Sequence, residues 1–195
     1  MTNIPKIISG GQTGADRAAL DWALSRGVPC GGWCPKGRKA EDGIIDTKYP
    51  LQESSSSCYL QRTEWNVRDS NATVIFSISR ILRGGSKKTL ELACQHKKPF
   101  LHLYAAQASK APEQLRRFLD LHEIQVLNVA GPRASKEPNI ARFVLVTLDR
   151  AFGVEQTQTL DGIIKLRSIK QNQSFQPFSQ LNQQRQQQQL PGIDR

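Results

Sequence analysis

Through residues 1–153, short apolar runs rich in β-branched residues alternate with longer stretches whose apolar positions recur at helical spacing. That alternation is the mark of βαβ units and a parallel sheet. Lys6 to Ser9 (KIIS) predicts a first strand. After a glycine-rich turn, Ala15 to Ser25 predicts a helix with Ala18, Ala19, Trp22 and Ala23 on one face, ended by Gly27. Val28 to Trp33 predicts a second short strand. The polar stretch from Pro35 to Ser57 is too long for an ordinary connection and is a candidate lid or interface element. A helix from Cys58 to Arg68 then leads into a strand from Thr73 to Ile78, and SRILRGGSKK opens a helix through Thr89, Leu92 and Ala93. PFLHLY predicts a strand, Pro112 to His122 an amphipathic helix, IQVLNVAG a last strand, and Asn139 to Phe152 a last helix. The expected fold is α/β, a Rossmann-like three-layer sandwich with a mainly parallel sheet of about five or more strands flanked by helices.

Composition divides the chain. Hydrophobic residues make up 38%, a low share that the region after Gly153 explains. Residues 171–195 are dominated by glutamine, culminate in QQRQQQQL, and hold too few large apolar residues to offset ordering entropy, so they read as a disordered tail. Residues 154–170, with the short run GIIKL, form an extension that fits either a strand or a helix. The net charge is +10, and residues 1–153 hold 22 Lys+Arg against 14 Asp+Glu, so +8 belongs to the fold. A basic fold favours an anionic partner. The cations are scattered and no aromatic stacking motif accompanies them, which disfavours nucleic acid. No apolar run reaches about 18 residues, and MTNIPKIISGG lacks the order of a secretion signal, so no membrane span and a cytoplasmic location are expected. Cys30 and Cys34 form one C-x3-C pair without a second pair or a nearby histidine, so no metal site is expected.

In open α/β sheets ligands sit beyond the carboxyl ends of the strands, where loops meet helix N-termini. The first such loop, Ser9 to Asp16, carries Gly10, Gly11, Thr13, Gly14 and Asp16. Its glycines allow a tight turn and close approach of an anion to free amides, although the spacing is neither a P-loop nor G-x-G-x-x-G. The alternative is a packing turn in which Asp16 satisfies first-turn amides. A second loop, Arg83 to Glu91, presents Gly84, Gly85, Ser86, Lys88 and Thr89, and its lysines suit phosphate better than an uncharged ligand. Between them, Tyr59, Arg62, Thr63, Asn66 and Ser70 mark one polar helical face, which is either solvated or turned to a ligand. Arg133, in the loop after the last strand, either clamps an anion or lies free in water.

The stretches IISGGQTGADRAALDWA, GGWCPKGRKAEDG, YPL, QRTEWNVRDSNATVIF, GGSKKTLELA and NVAGPRAS resemble the putative molybdenum carrier family, in order and spacing, across residues 4–152. That resemblance implies a Rossmann-like fold, a carried molybdenum cofactor (molybdopterin) and a homo-oligomer, dimer or tetramer. It also implies membership of the wider superfamily that includes the lysine-decarboxylase-like phosphoribohydrolases. In those enzymes a P-G-G-x-G-T-x-E-E loop holds a nucleoside monophosphate, and an arginine of the preceding helix acts with a glutamate of that loop. Arg62 and Glu91 stand at the matching places. Here the loop reads R-G-G-S-K-K-T-L-E-L, without the proline, the third glycine or the second glutamate. The extra residue displaces Glu91 by one helical position, about 100° of rotation. The leading reading is therefore a carrier of a small phosphorylated ligand. The runner-up is an enzyme, or a nucleotide-binding protein, related to the nucleotide N-glycosidic hydrolases, with Arg62 and Glu91 as its catalytic pair.

Overall fold

The computed structural model describes residues 4–153, and the expectations for 154–170 and 171–195 lie outside the described residues. The chain opens with β1 (Lys6–Ile8), α1 (Ala15–Ser25) and β2 (Cys30–Gly31). The long polar stretch follows with β3 (Trp33–Cys34), β4 (Lys39–Ala40), β5 (Gly43–Ile44) and β6 (Gln52–Glu53). Then come α2 (Tyr59–Arg68), β7 (Ala72–Ser77), α3 (Gly84–Gln95), β8 (Phe100–Tyr104), α4 (Ala111–Leu121), β9 (Val126–Ala130) and α5 (Ile140–Ala151). Among the described residues, no helix is long and apolar enough to cross a membrane.

The main sheet has the order β2-β1-β9-β7-β8, with every pairing parallel. Strand alternation directs Ile7, Val74, Phe76, Leu103, Leu127 and Val129 to one face. There they form the principal core with Trp22 of α1, Leu115 and Phe118 of α4, and Phe143 and Leu148 of α5. The other face lies under α2 and α3, whose own cluster is only Val67, Leu92 and Ala93. It carries buried polar groups, including Asn128, whose Nδ2 donates to Thr73 Oγ1 at 3.1 Å. This is the expected three-layer α/β sandwich. Progress along the sheet reverses at its centre: β1 leads outward to β2, β7 leads outward to β8, and β9 returns between them. The loops after β1, β7 and β9 are consequently neighbours at the carboxyl edge, the position of a topological switch point.

Two expectations change. The predicted strand from Val28 to Trp33 divides at Gly32, so that β2 stays in the main sheet while β3 leaves it to pair with β6. The divergence is fixed by Asn66 of α2, which accepts from Trp33 N–H at 2.9 Å and donates to Trp33 O at 2.9 Å. The stretch from Pro35 to Ser57, moreover, has a small core of its own, in which Ile45, Tyr49 and Leu51 pack on Leu20 and Cys34. Arg38 organises it from within, donating to the backbone carbonyls of Ile45 (2.9 Å), Leu51 (3.1 Å), Asp46 (2.8 Å) and Tyr49 (3.0 Å). One guanidinium thus satisfies four backbone acceptors, three of them half-buried, that no regular ladder would.

Candidate functional site

The glycine loop after β1 is drawn inward by its neighbours. Ser9 Oγ donates to Val129 O at 2.6 Å, tying it to β9. Gly14, at φ 80°, precedes α1, and the Ala15 N–H donates to Pro132 O at 3.3 Å, so the loop after β9 covers the start of that helix. A Cβ on Gly14 would lie 2.6 Å from Pro132 O and 2.7 Å from Ala134 N. The glycine is needed because two loops touch there.

Asp16, in the first turn of α1, is buried and faces Arg62 of α2 at 3.3 Å between Nη1 and Oδ2; their side chains are 14% and 4% exposed for Arg62 and Asp16 respectively. Burial pushes the Asp16 carboxyl above its ordinary range, against the opposing pull of Arg62 and of the hydrogen bond from Gln12 N–H. Arg62 Nε is buried without a hydrogen-bond partner among the described residues.

A cleft of about 810 Å³ opens where the loops after β7 and β9 face α2. Its floor is the start of α3, where Arg83 is the N-cap and, among the described residues, no side chain caps the helix. The first-turn amides of Gly84, Gly85 and Ser86 are the ones that intrahelical bonding leaves unsatisfied, and they meet the positive end of the helix dipole. Arg133 and Lys136 reach the cleft from the loop after β9, and Tyr59 and Ile81 form an apolar part of its lining, exposed by 43% and 65%. Glu137, the one carboxylate lining it among the described residues, accepts from Ile78 N–H at 2.6 Å and so holds the loop after β7. A separate depression on α4, lined by Glu113, Arg116, Arg117, Asp120 and Leu121, is open and draws on no strand end.

The structure brings Arg62, Thr63, Gly84, Gly85, Ser86 and Arg133 together around this cleft. It places Gly10, Gly11, Thr13, Gly14 and Asp16 behind the cleft wall, where only Gln12 of their loop lines the space. Asn66 is occupied in clamping β3. Thr89 is buried and donates back to Gly85 O at 3.0 Å. Lys88 and Glu91 pair at 3.1 Å on the exposed side of α3, away from the cleft lining, so Arg62 and Glu91 do not meet there. The paired glycines form the first turn of α3 rather than a loop ahead of it, and Gly84 adopts φ 50°.

Sequence reasoning missed Gln12, Ser77, Arg83, Lys136 and Glu137 as lining residues. Lys136 and Glu137 lie just beyond the loop that supplied Arg133, so a longer window there would have included them, whereas Gln12 and Arg83 already stand within the two glycine loops. Ser77 carries no such signal. Its hydroxyl donates to Ser79 O at 2.6 Å, which leaves its Oγ to accept from His102 Nε2 at 2.7 Å. Burial pushes the His102 pKa down, against the opposing pull of Glu137, and favours a neutral ring with the proton on Nε2. The pair orders the loop after β7.

The model of the circularly permutated YpsA SLOG family matches residues 7–152. The chain belongs to that family. A crystal structure at 1.45 Å of a putative molybdenum carrier protein from Syntrophus aciditrophicus SB is similar to this circularly permutated YpsA SLOG protein, with 49% identity and a TM-score of 0.74. The similarity covers 76% of this chain and 94% of the other. The resemblance to the molybdenum carrier family and the Rossmann-like α/β fold are both borne out. No curated protein matches the chain. In the circularly permutated YpsA SLOG chain, β9, the last strand in sequence among the described residues, occupies the centre of the sheet, and its loop supplies Arg133 and Lys136.

Proposed function

We propose that this chain is a binding protein for a small phosphorylated ligand, with molybdenum cofactor as the cargo that its family resemblance and the similar structure's description suggest. The observation that supports the reading is the convergence of Arg83, Arg133 and Lys136 with the uncapped start of α3 in one cleft at the carboxyl edge of the sheet. Guanidinium, ammonium and helix N-terminal amides together suit a phosphate, which offers several strong acceptors and about two negative charges. Tyr59 and Ile81 offer apolar surface to a planar ring. That pairing serves a pterin and a purine equally, so the cofactor assignment rests on kinship.

The binding reading is preferred to nucleotide hydrolysis because Glu91 is paired with Lys88 outside the cleft, and Glu137 inside it is engaged with the Ile78 amide. Isothermal titration with inorganic phosphate, nucleoside monophosphates and molybdopterin tests the proposal, with Arg83→Ala and Lys136→Ala as variants. Both variants weaken binding of each phosphorylated ligand; unchanged affinity in both sinks the reading. Release of free base from a nucleotide would favour the enzyme instead. The homo-oligomer implied by the relatives belongs to the same proposal, and a native mass spectrum reads subunit number and co-purified ligand together.

A further inference from the structure

Beside the cleft, four donors converge on a carboxylate supplied by the chain itself. Glu41, carried in on the long polar stretch between β4 and β5, accepts from the Thr13 hydroxyl, the Ser135 hydroxyl and the Ser135 N–H, the last at 3.2 Å. Arg133 Nε lies 3.3 Å from its Oε2. Those donors hold the Glu41 carboxyl below the usual carboxylate range, chiefly through the hydrogen bonds from Ser135 and Thr13. Thr13 is itself oriented by Ala134 N–H, which donates to its Oγ1 at 3.1 Å. Two hydroxyls, an amide and a guanidinium aimed at one pair of oxygens are the donor set of an anion site.

We propose that Thr13, Arg133 and Ser135 form a phosphate subsite which the chain fills with its own Glu41 carboxylate, and that a ligand phosphomonoester enters by displacing it. The inference rests on the phosphorylated-ligand reading and adds where a phosphate binds and what competes with it. Two residues join the subsite to the cleft. Arg133 lines both, and Gln12, which lines the cleft, accepts at Oε1 from Glu41 N–H at 2.9 Å and from Thr13 N–H at 3.0 Å. Charge selects the ligand class: a phosphate brings more negative charge and one more acceptor oxygen than the carboxylate it replaces, so it competes for the same donors. Release of Glu41 detaches the polar stretch on one side, while the neighbouring Arg17–Asp42 pair still tethers it.

The test is calorimetric titration of the full chain with inorganic phosphate. If Glu41 occupies the subsite about nine-tenths of the time, Glu41→Gln tightens phosphate binding about tenfold, because the competing charge is gone. Adding Thr13→Val to that variant removes the gain. Trypsin gives a second reading that needs no affinity: phosphate speeds cleavage at exposed Lys39 in the wild type, and in Glu41→Gln the site is cut rapidly with or without phosphate. Unchanged or weaker phosphate binding in Glu41→Gln, while Arg83→Ala still weakens it, overturns the subsite and leaves the cleft reading standing. Loss of sensitivity to Arg83, Thr13 and Glu41 together overturns both.

Discussion

Replacing Arg62 with methionine tests the buried pair on which the cleft wall rests. In the wild type the Asp16 carboxylate is 3.3 Å from the Arg62 guanidinium, with a further donor, Gln12 N–H, at 3.2 Å. Methionine keeps much of the apolar stem but strands the carboxylate. Removing one partner of a buried pair costs about 3–5 kcal/mol. The surviving Gln12 amide points to the lower end, about 3 kcal/mol, which in a domain of this size lowers the melting temperature by about 6–12 °C. Asp16→Asn combined with Arg62→Met costs less than the sum of the two single changes, since no charge is then left buried. The effect also has a pH signature. Burial already raises the folded Asp16 pKa, and loss of Arg62 raises it further. For a carboxyl raised in this way, stability is full below the unfolded value near 3.9 and is lost as pH rises through the folded value. The gap between wild type and Arg62→Met therefore widens as pH is raised above the unfolded carboxyl value, in urea unfolding followed by tryptophan fluorescence. A gap independent of pH, or a double variant that falls by the full sum, would refute the pairing argument. Arg62→Ala is for the same reason a poor probe of ligand binding, and Arg83→Ala a better one.

Four other outcomes follow from contacts in the structure. Gly14→Ala sets a Cβ 2.6 Å from Pro132 O, and with backbone strain of about 1–3 kcal/mol plus the clash it lowers the thermal midpoint sharply. Gly85→Ala meets nothing within 4 Å, and its melt stays at or slightly above wild type. Asn66→Ala leaves Trp33 N–H and C=O without their partner, a loss of about 2–3 kcal/mol in chemical denaturation, and shifts the emission of Trp33, whose ring lies edge-on to Trp65 at 4.6 Å. The Glu41 contacts stabilise the fold above the unfolded carboxyl pKa near 4.3 and are lost as pH falls through the lowered folded value. Melts of wild type and Glu41→Gln taken from pH 7 to pH 3 accordingly differ at the neutral end and converge at the acid end.

The elements of the fold were legible because each carries a local period. Ala18, Ala19, Trp22 and Ala23 repeat at helical spacing, and α1 covers Ala15 to Ser25 as that spacing predicts. Thr73 to Ile78 and PFLHLY are short β-branched or aromatic runs between polar turns, and β7 and β8 lie within a residue of them. The split of the second strand was not legible, since the group that divides it, Asn66, is 33 residues away from Trp33. The core of the stretch from Pro35 to Ser57 was hidden for a related reason: its acceptors are gathered by a single arginine, Arg38, which has no periodic signature.

The candidate site divides along the same line. Its glycines, basic residues and helix starts are properties of sequence, because a strand, a turn and an amphipathic run specify one another over a few residues. Which of those groups face one space was decided by the β2-β1-β9-β7-β8 order, which sets the loops after β1, β7 and β9 side by side. Packing of the first and last of these turned Gly14 and Thr13 toward Pro132 and Ala134, left the start of α3 to form the floor of the cleft, and sent Glu91 to the far side of its helix. Sequence alone therefore determined an α/β chain with phosphate-suited loops at strand ends. Only tertiary structure decided that Asp16 and Arg62 are buried against each other and that Glu41 occupies the donors of Thr13, Arg133 and Ser135, since those partners lie 28 to 94 residues apart and meet only when the sheet closes the distance.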